Sequence, residues 1–172
     1  MSTYKGLDNC TDKLLDEIAR HESAGNYNAV IGDIDSPYRL ESYSLREVRE
    51  LGNWLRDVKK RPSSAMGRYQ IITATSRSIQ FRLGLSDSTR FTPEIQDRMG
   101  VALMVGRGYP AWWQRRLDNM EFLHNLSMEW ASLPDPLNHG KSHYDGVGPN
   151  HAATTVAEWI DILEEAHSLI PS

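Results

Sequence analysis

A helical stripe that ends in a carboxyl group narrows the possible folds more than anything else in this chain. Leu14, Leu15, Ile18 and Ala19 recur at helical spacing, and Glu22, four residues after Ile18 and seven after Leu15, falls on their face. A stripe of this kind must be covered by other elements, so the helix belongs to a packed domain. Thr11 or Asp12 can cap its start and Gly25 can take the left-handed conformation that ends it, which puts Glu22 in the last turn. A carboxyl group on an apolar face resists ionisation, because desolvation disfavours its charged form; its pKa rises toward the range useful for donating a proton near neutrality. The alternative is a helix-end glutamate that reaches solvent, since glutamates are seldom fully buried.

After Gly25 the helical period is lost. Ala29-Val30-Ile31 and Tyr38-Arg39-Leu40 are short β-prone pieces split by Gly32 to Pro37, which predicts a small irregular hairpin over 26–43. Ser44-Leu45-Arg46-Glu47 has the form of a capping box and predicts a helix over 44–59 with Leu45, Val48, Leu51, Leu55 and Val58 on its apolar side. Gly67 to Ile72 reads as another short strand feeding a helix that ends at Gly84, and Thr92-Pro93 opens the next. A helix over 119–132 carries Leu123, Leu126 and Trp130, a polar loop fills 135–150, and Thr155 with Glu158 caps a final helix. The sum is a mainly helical α+β chain, a small β-sheet beside a helical lobe with a cleft between them.

With 172 residues, 40% of them hydrophobic, the chain has the size and composition of one domain spanning 1–172. Its 19 basic and 23 acidic side chains form no run of either sign, which argues against a nucleic-acid partner. The single Cys10 leaves no intramolecular disulfide to form. Met1 to Gly6 lacks the apolar core of a secretory signal, and no stretch approaches the roughly 20 apolar residues that span a bilayer, so neither a signal peptide nor membrane insertion is expected.

A sheet beside the helix that presents Glu22 makes a cleft of the kind sugar-cleaving sites use. Gly67-Arg68-Tyr69-Gln70 would form the opposite wall: Gly67 lets backbone approach a ligand, Tyr69 offers a flat face to a sugar ring, and Gln70 has the paired donor and acceptor that suit an acetamido group. A strand-to-helix junction with a surface tyrosine explains the same residues.

Glu22-Ser23-Ala24-Gly25 with Tyr27 to Val30, Ala65 to Gln70, Phe91 to Asp97, and Trp130-Ala131-Ser132-Leu133-Pro134 followed by Tyr144 occur in an order that resembles the phage lysozyme-like muramidases, including their lambda-type lytic transglycosylase branch. The resemblance spans about residues 14 to 165. It implies the lysozyme-like fold, Glu22 as catalytic acid, and substrate contacts from Ser23, Asn26, Tyr27, Tyr69, Gln70, Trp130 and Tyr144. It implies a peptidoglycan glycan strand as substrate, cut at the β-1,4 bond between N-acetylmuramic acid and N-acetylglucosamine. The enzyme is then made in the host cytoplasm and acts as a monomer on the wall after release through a holin, or is carried among virion components. The 44–58 helix departs from the family pattern as an insertion.

Retaining glycosidases hold two carboxyl groups roughly 5 Å apart, and inverting ones roughly 6.5–9.5 Å apart. Asp33 and Asp35, in the loop facing the end of the first helix, are the candidate second carboxylates; as plain turn residues they would leave Glu22 to act twice, first as acid and then as base. No metal or organic cofactor is expected. His139, His143, His151 and Asp145 crowd one loop, but their spacing matches no familiar metal motif, and an ordinary polar loop accounts for them. Arg107, Arg115 and Arg116 beside Trp112 and Trp113 are either contacts for muropeptide carboxylates or a solvated face. A non-catalytic wall-binding or virion protein that kept the fold is the reading from another class.

Overall fold

Short polar side chains decide where the helices begin. In the computed structural model, which describes residues 8–170, Asp8 accepts a hydrogen bond from the Thr11 N–H and opens α1 (Asn9–Ser23). Ser44 and Glu47 form the expected reciprocal capping box that opens α2 (Leu45–Asp57). Next come α3 (Thr73–Arg82), α4 (Pro93–Gly106) behind Thr92, α5 (Tyr109–Trp113), and α6 (Asn119–Ser127) behind Asp118. A second capping box, Thr155 with Glu158, opens α7 (Val156–Ser168). Single 3-10 turns lie at Leu40–Ser42 and Pro136–Asn138. Met1 to Gly6, read above for a leader, lies outside the described residues.

Several boundaries differ from the sequence reading. Asp8 rather than Thr11 or Asp12 caps α1, and Ala24 (φ 52°) turns left-handed one residue before Gly25 (φ 80°) does. The helix expected over 119–132 stops at Ser127, so Trp130 stands beyond it in the following turn. The small sheet is reduced to isolated bridges: among the described residues Val30 pairs with Asp33 and Met66, and Met66 pairs with Ile71, with no strand formed. Local polar groups explain why. Ser36 Oγ donates to the Asn28 carbonyl at 2.6 Å and Asn26 Nδ2 to the Ile34 carbonyl at 2.7 Å, so side chains satisfy backbone groups that a ladder would have used. Tyr38 to Leu40 then runs into a 3-10 turn instead of returning along Ala29 to Ile31.

The Leu14, Leu15, Ile18 and Ala19 stripe is fully buried. α1 packs against α7 and α4, α6 packs against α7, and α3 bridges α2 and α4. Trp159 and Leu163 of α7, Met99 and Leu103 of α4, and Phe122 and Leu126 of α6 fill the space around α1; burial of each large apolar side chain stabilises by about 1.5–3 kcal/mol. Trp112 of α5 stacks on Phe122, with ring centroids 5.0 Å apart. Gly100 lets α4 approach closely: a Cβ there would lie 3.0 Å from Leu15 Cδ2 and 3.1 Å from the Tyr69 ring. This helical packing holds the end of α1 at the edge of an open cleft.

Candidate active site

The last turn of α1 delivers Glu22 into a cleft of about 1180 Å³, lined also by Val30, Asp33, Gln70, Trp130 and Tyr144. The Glu22 carboxyl group is held by one residue from far along the chain. The Ser132 hydroxyl donates to Glu22 Oε1 at 2.5 Å, and the Ser132 backbone N–H donates to the same carboxyl group. Burial pushes the Glu22 pKa up to about 6, against the lowering effect of those two donors. Desolvation therefore dominates, as the helical periodicity predicts. The group can lend a proton at mildly acidic to neutral pH and recover it in the same cycle.

The opposite wall is a tight turn. Met66 and Ile71 bond each other's backbone, and between them Gly67 (φ 76°) and Gln70 (φ 46°) are both left-handed. Gly67 does not make room for a ligand here. A Cβ would fall 2.4 Å from Gln96 Oε1 and 2.7 Å from Phe91 Cε1, so the missing side chain lets the turn dock on the start of α4. Gln70 lines the cleft, with its Nε2 donating to the Gly67 carbonyl at 2.9 Å and its amide oxygen not engaged by that bond. Tyr69 borders the cleft but does not lie open as a sugar platform: the residue is 1% exposed, and its hydroxyl donates to Asp97 at 2.7 Å.

Three further residues expected at the substrate prove to be braces. The Ser23 hydroxyl donates to the Arg68 carbonyl at 2.7 Å, fastening α1 to the turn. Asn26 holds the Ile34 carbonyl, and Tyr27 donates to Asp97 at 2.9 Å. Trp130 reaches the cleft wall, yet its indole N–H is spent on the Tyr69 carbonyl at 3.2 Å and its ring is buried. Tyr144 is half-exposed on the rim, fixed by its hydroxyl to the Met128 carbonyl at 2.7 Å. Asp33 and Asp35 both line the cleft, as their position in the sequence suggests.

The Phe91 to Asp97 block supplies the polar brace that joins these pieces. Gln96, fully buried, accepts from the Arg68 N–H and donates to the Tyr27 and Phe91 carbonyls, while Asp97 accepts from both tyrosine hydroxyls. Arg68 lies over the Tyr27 ring at 4.8 Å and is paired with Asp16. Burial and the Asp97 carboxylate raise the pKa of Tyr27 and of Tyr69, so both phenols remain hydrogen-bond donors.

Sequence reasoning missed Ser132 as the partner of Glu22, although it lies inside the Trp130 to Pro134 block. It also missed Glu129, a carboxylate on the cleft wall bound to Arg107 at 2.9 Å. Of the three arginines singled out, Arg107 therefore belongs to the cleft, whereas Arg115 and Arg116 border a separate hollow with Trp112. No helix among the described residues is long and apolar enough to cross a membrane.

Comparisons with known proteins give the fold and the family. The lysozyme of bacteriophage lambda, solved in complex with a chitohexasaccharide, superposes with a TM-score of 0.60 at 22% identity, over 93% of this chain and 95% of that one, and so has the same fold. A search of curated protein sequences finds no match. The model of the endolysin family matches residues 14–147, most of the chain, and the chain belongs to that family of phage enzymes that degrade peptidoglycan.

Proposed function

We propose that the chain is a muramidase that cuts the β-1,4 bond between N-acetylmuramic acid and N-acetylglucosamine, and that it does so as a lytic transglycosylase. The observation that carries the reading is Glu22, desolvated in the cleft with a pKa of about 6 and oriented by Ser132. Protonated Glu22 gives its proton to the glycosidic oxygen as the bond to C1 breaks. The resulting carboxylate then takes the proton of the muramic C6 hydroxyl while O6 attacks C1, closing a 1,6-anhydro ring and restoring the acid. No water is consumed, and the route needs no metal or organic cofactor.

Gln70, which lines the cleft, and Tyr144, on the rim, are the proposed substrate contacts. Ser23, Asn26, Tyr27, Tyr69 and Trp130 act by holding the walls in place. The complexed chitohexasaccharide of the lambda lysozyme supports an oligosaccharide in the corresponding cleft. We place the enzyme, as a monomer, at the host wall after release through a holin or from a virion.

A hydrolytic lysozyme of the same bond specificity is the second reading, favoured by Asp33 and Asp35 on the cleft lining, either of which would serve a water or a glycosyl intermediate. Mass spectrometry of the muropeptides released from purified sacculi separates the two. Anhydro ends support the transglycosylase, and reducing ends, heavier by one water, support the hydrolase. Glu22→Gln is expected to lower turbidity clearance by at least about 1000-fold with the fold intact; retained clearance removes Glu22 from the mechanism. Binding to sacculi by the parent chain without any clearing would support a non-catalytic wall-binding or virion protein instead.

A further inference from the structure

The polar loop after Pro134 forms a cluster whose members are not those its histidines suggest. Of His139, His143, His151 and Asp145, only His143 joins it; the others are His124 from α6 and Asp135. One donor atom of each of the three lies within 4.8 Å of the others. Asp135, 3% exposed, sits between the imidazoles: Oδ1 is 2.8 Å from His124 Nδ1 and Oδ2 is 2.8 Å from His143 Nδ1.

We propose that His124, Asp135 and His143 bind one divalent cation of the zinc class at the rim of the cleft. Two imidazole nitrogens and a carboxylate form the donor set that borderline cations such as zinc, cobalt and nickel prefer over magnesium or calcium, which favour all-oxygen sites. Three protein ligands leave the fourth tetrahedral position to water. Entry of the ion displaces the proton that each Nδ1 shares with Asp135, which passes through solvent to Nε2 of the same neutral ring or, from an imidazolium, is released to solvent, and the three donors move to roughly 2.0–2.2 Å from the metal.

The surroundings are those of a held ligand rather than a loose turn. The Leu137 N–H donates to Asp135 Oδ1 at 2.8 Å and orients the carboxylate from outside the cluster. Asp135 N–H donates to the Lys141 carbonyl at 2.7 Å, and Asn138 Nδ2 donates to the Ser142 carbonyl at 2.8 Å, so the loop backbone is fixed before any ion arrives. His124 and His143 are each partly exposed, which leaves an entry path.

The site has a mechanical reach. His143 precedes Tyr144, whose ring packs edge-on against it with centroids 5.0 Å apart, and Tyr144 lines the cleft. A bound cation ties α6 to the loop and stiffens this part of the rim. The proposal concerns the rim alone and does not depend on how Glu22 works.

The test is direct metal binding to the chelator-stripped full chain. Titration with zinc, cobalt, magnesium and calcium is followed by calorimetry, by thermal unfolding and, for cobalt, by the visible absorption of a tetrahedral complex. Expected are one equivalent of zinc or cobalt, a rise in Tm of roughly 5 °C at saturating metal, and no response to magnesium or calcium. His124→Asn and His143→Asn keep an N–H donor for Asp135 but remove the imidazole ligand; each is expected to fold, to keep its metal-free Tm within about 2 °C, and to weaken zinc binding at least about 100-fold. Absence of stoichiometric zinc uptake by the parent chain overturns the proposal, and so does uptake that survives both substitutions.

Discussion

At Glu22 the cost of function and its physical origin meet in one side chain. Its carboxyl group holds a proton more tightly folded, at a pKa of about 6, than at its ordinary 4.5. A group of this kind stabilises less as pH rises through that window. The full stability is present below about 4.5 and the deficit is complete above about 6, where it amounts to about 2 kcal/mol. Glu22→Gln removes the titration while keeping an oxygen for the Ser132 hydroxyl. The variant is expected to be more stable than the parent by up to about 2 kcal/mol at pH 8 and to show no gain at pH 4, measured by urea unfolding at both; an equal gain at the two pH values would point to some cause other than desolvation. Ser132→Ala tests the opposing contribution. Loss of the hydroxyl that favours the charged form lets the Glu22 pKa climb further, so the descending alkaline limb of the pH–activity profile should move up with it. A limb that stays where it was would belong to another group.

Individual elements divide into those whose ends are written in adjacent residues and those that depend on distant ones. In each capping box, Ser44 with Glu47 and Thr155 with Glu158, the partners lie three residues apart in sequence and form as read; Ser44→Ala is expected to lower stability by about 1 kcal/mol in thermal unfolding. The cleft turn is different. Gly67 reads equally well as a place for a ligand or for a neighbouring helix, and only the position of Gln96 and Phe91 decides between them. Gly67→Ala meets both an unfavourable left-handed φ and a collision with Gln96, and should cost about 3 kcal/mol in chemical denaturation, far beyond an Ala substitution at an exposed helix end. Tyr69 was misread for a related reason: a tyrosine beside a glycine turn has the composition of a sugar platform, but Asp97, 28 positions later, takes its hydroxyl inward. The missing sheet follows the same rule, because Ser36 and Asn26 compete locally for backbone groups in a way that β-propensity does not register. Glu22 is legible in two steps: periodicity puts it on an apolar face but leaves open a helix end that reaches solvent, and the order of the four resembling blocks singles it out.

Across the whole molecule the cleft has no wall that stands by itself. α1 carries Glu22, the 67–70 turn leans on α4 through Gln96 and Asp97, and Trp130 and Ser132 close the far side after α6. Asp97→Asn is expected to loosen both tyrosines together, lowering stability by about 1–3 kcal/mol and reducing clearance of sacculi without changing which bond is cut. Tryptophan fluorescence and far-ultraviolet circular dichroism should lose their native signal in one coincident urea transition; separate midpoints would mean that the 1–172 chain is not one cooperative unit. The bond from Ser132 to Glu22 joins positions 110 residues apart. During synthesis the glutamate leaves the ribosome long before the serine does, and in that interval neither Ser132 donor holds it. An incomplete chain therefore carries the carboxyl group without the contacts that orient it. Chain topology alone delays the wall-degrading activity until the last third of the polypeptide has been made and folded.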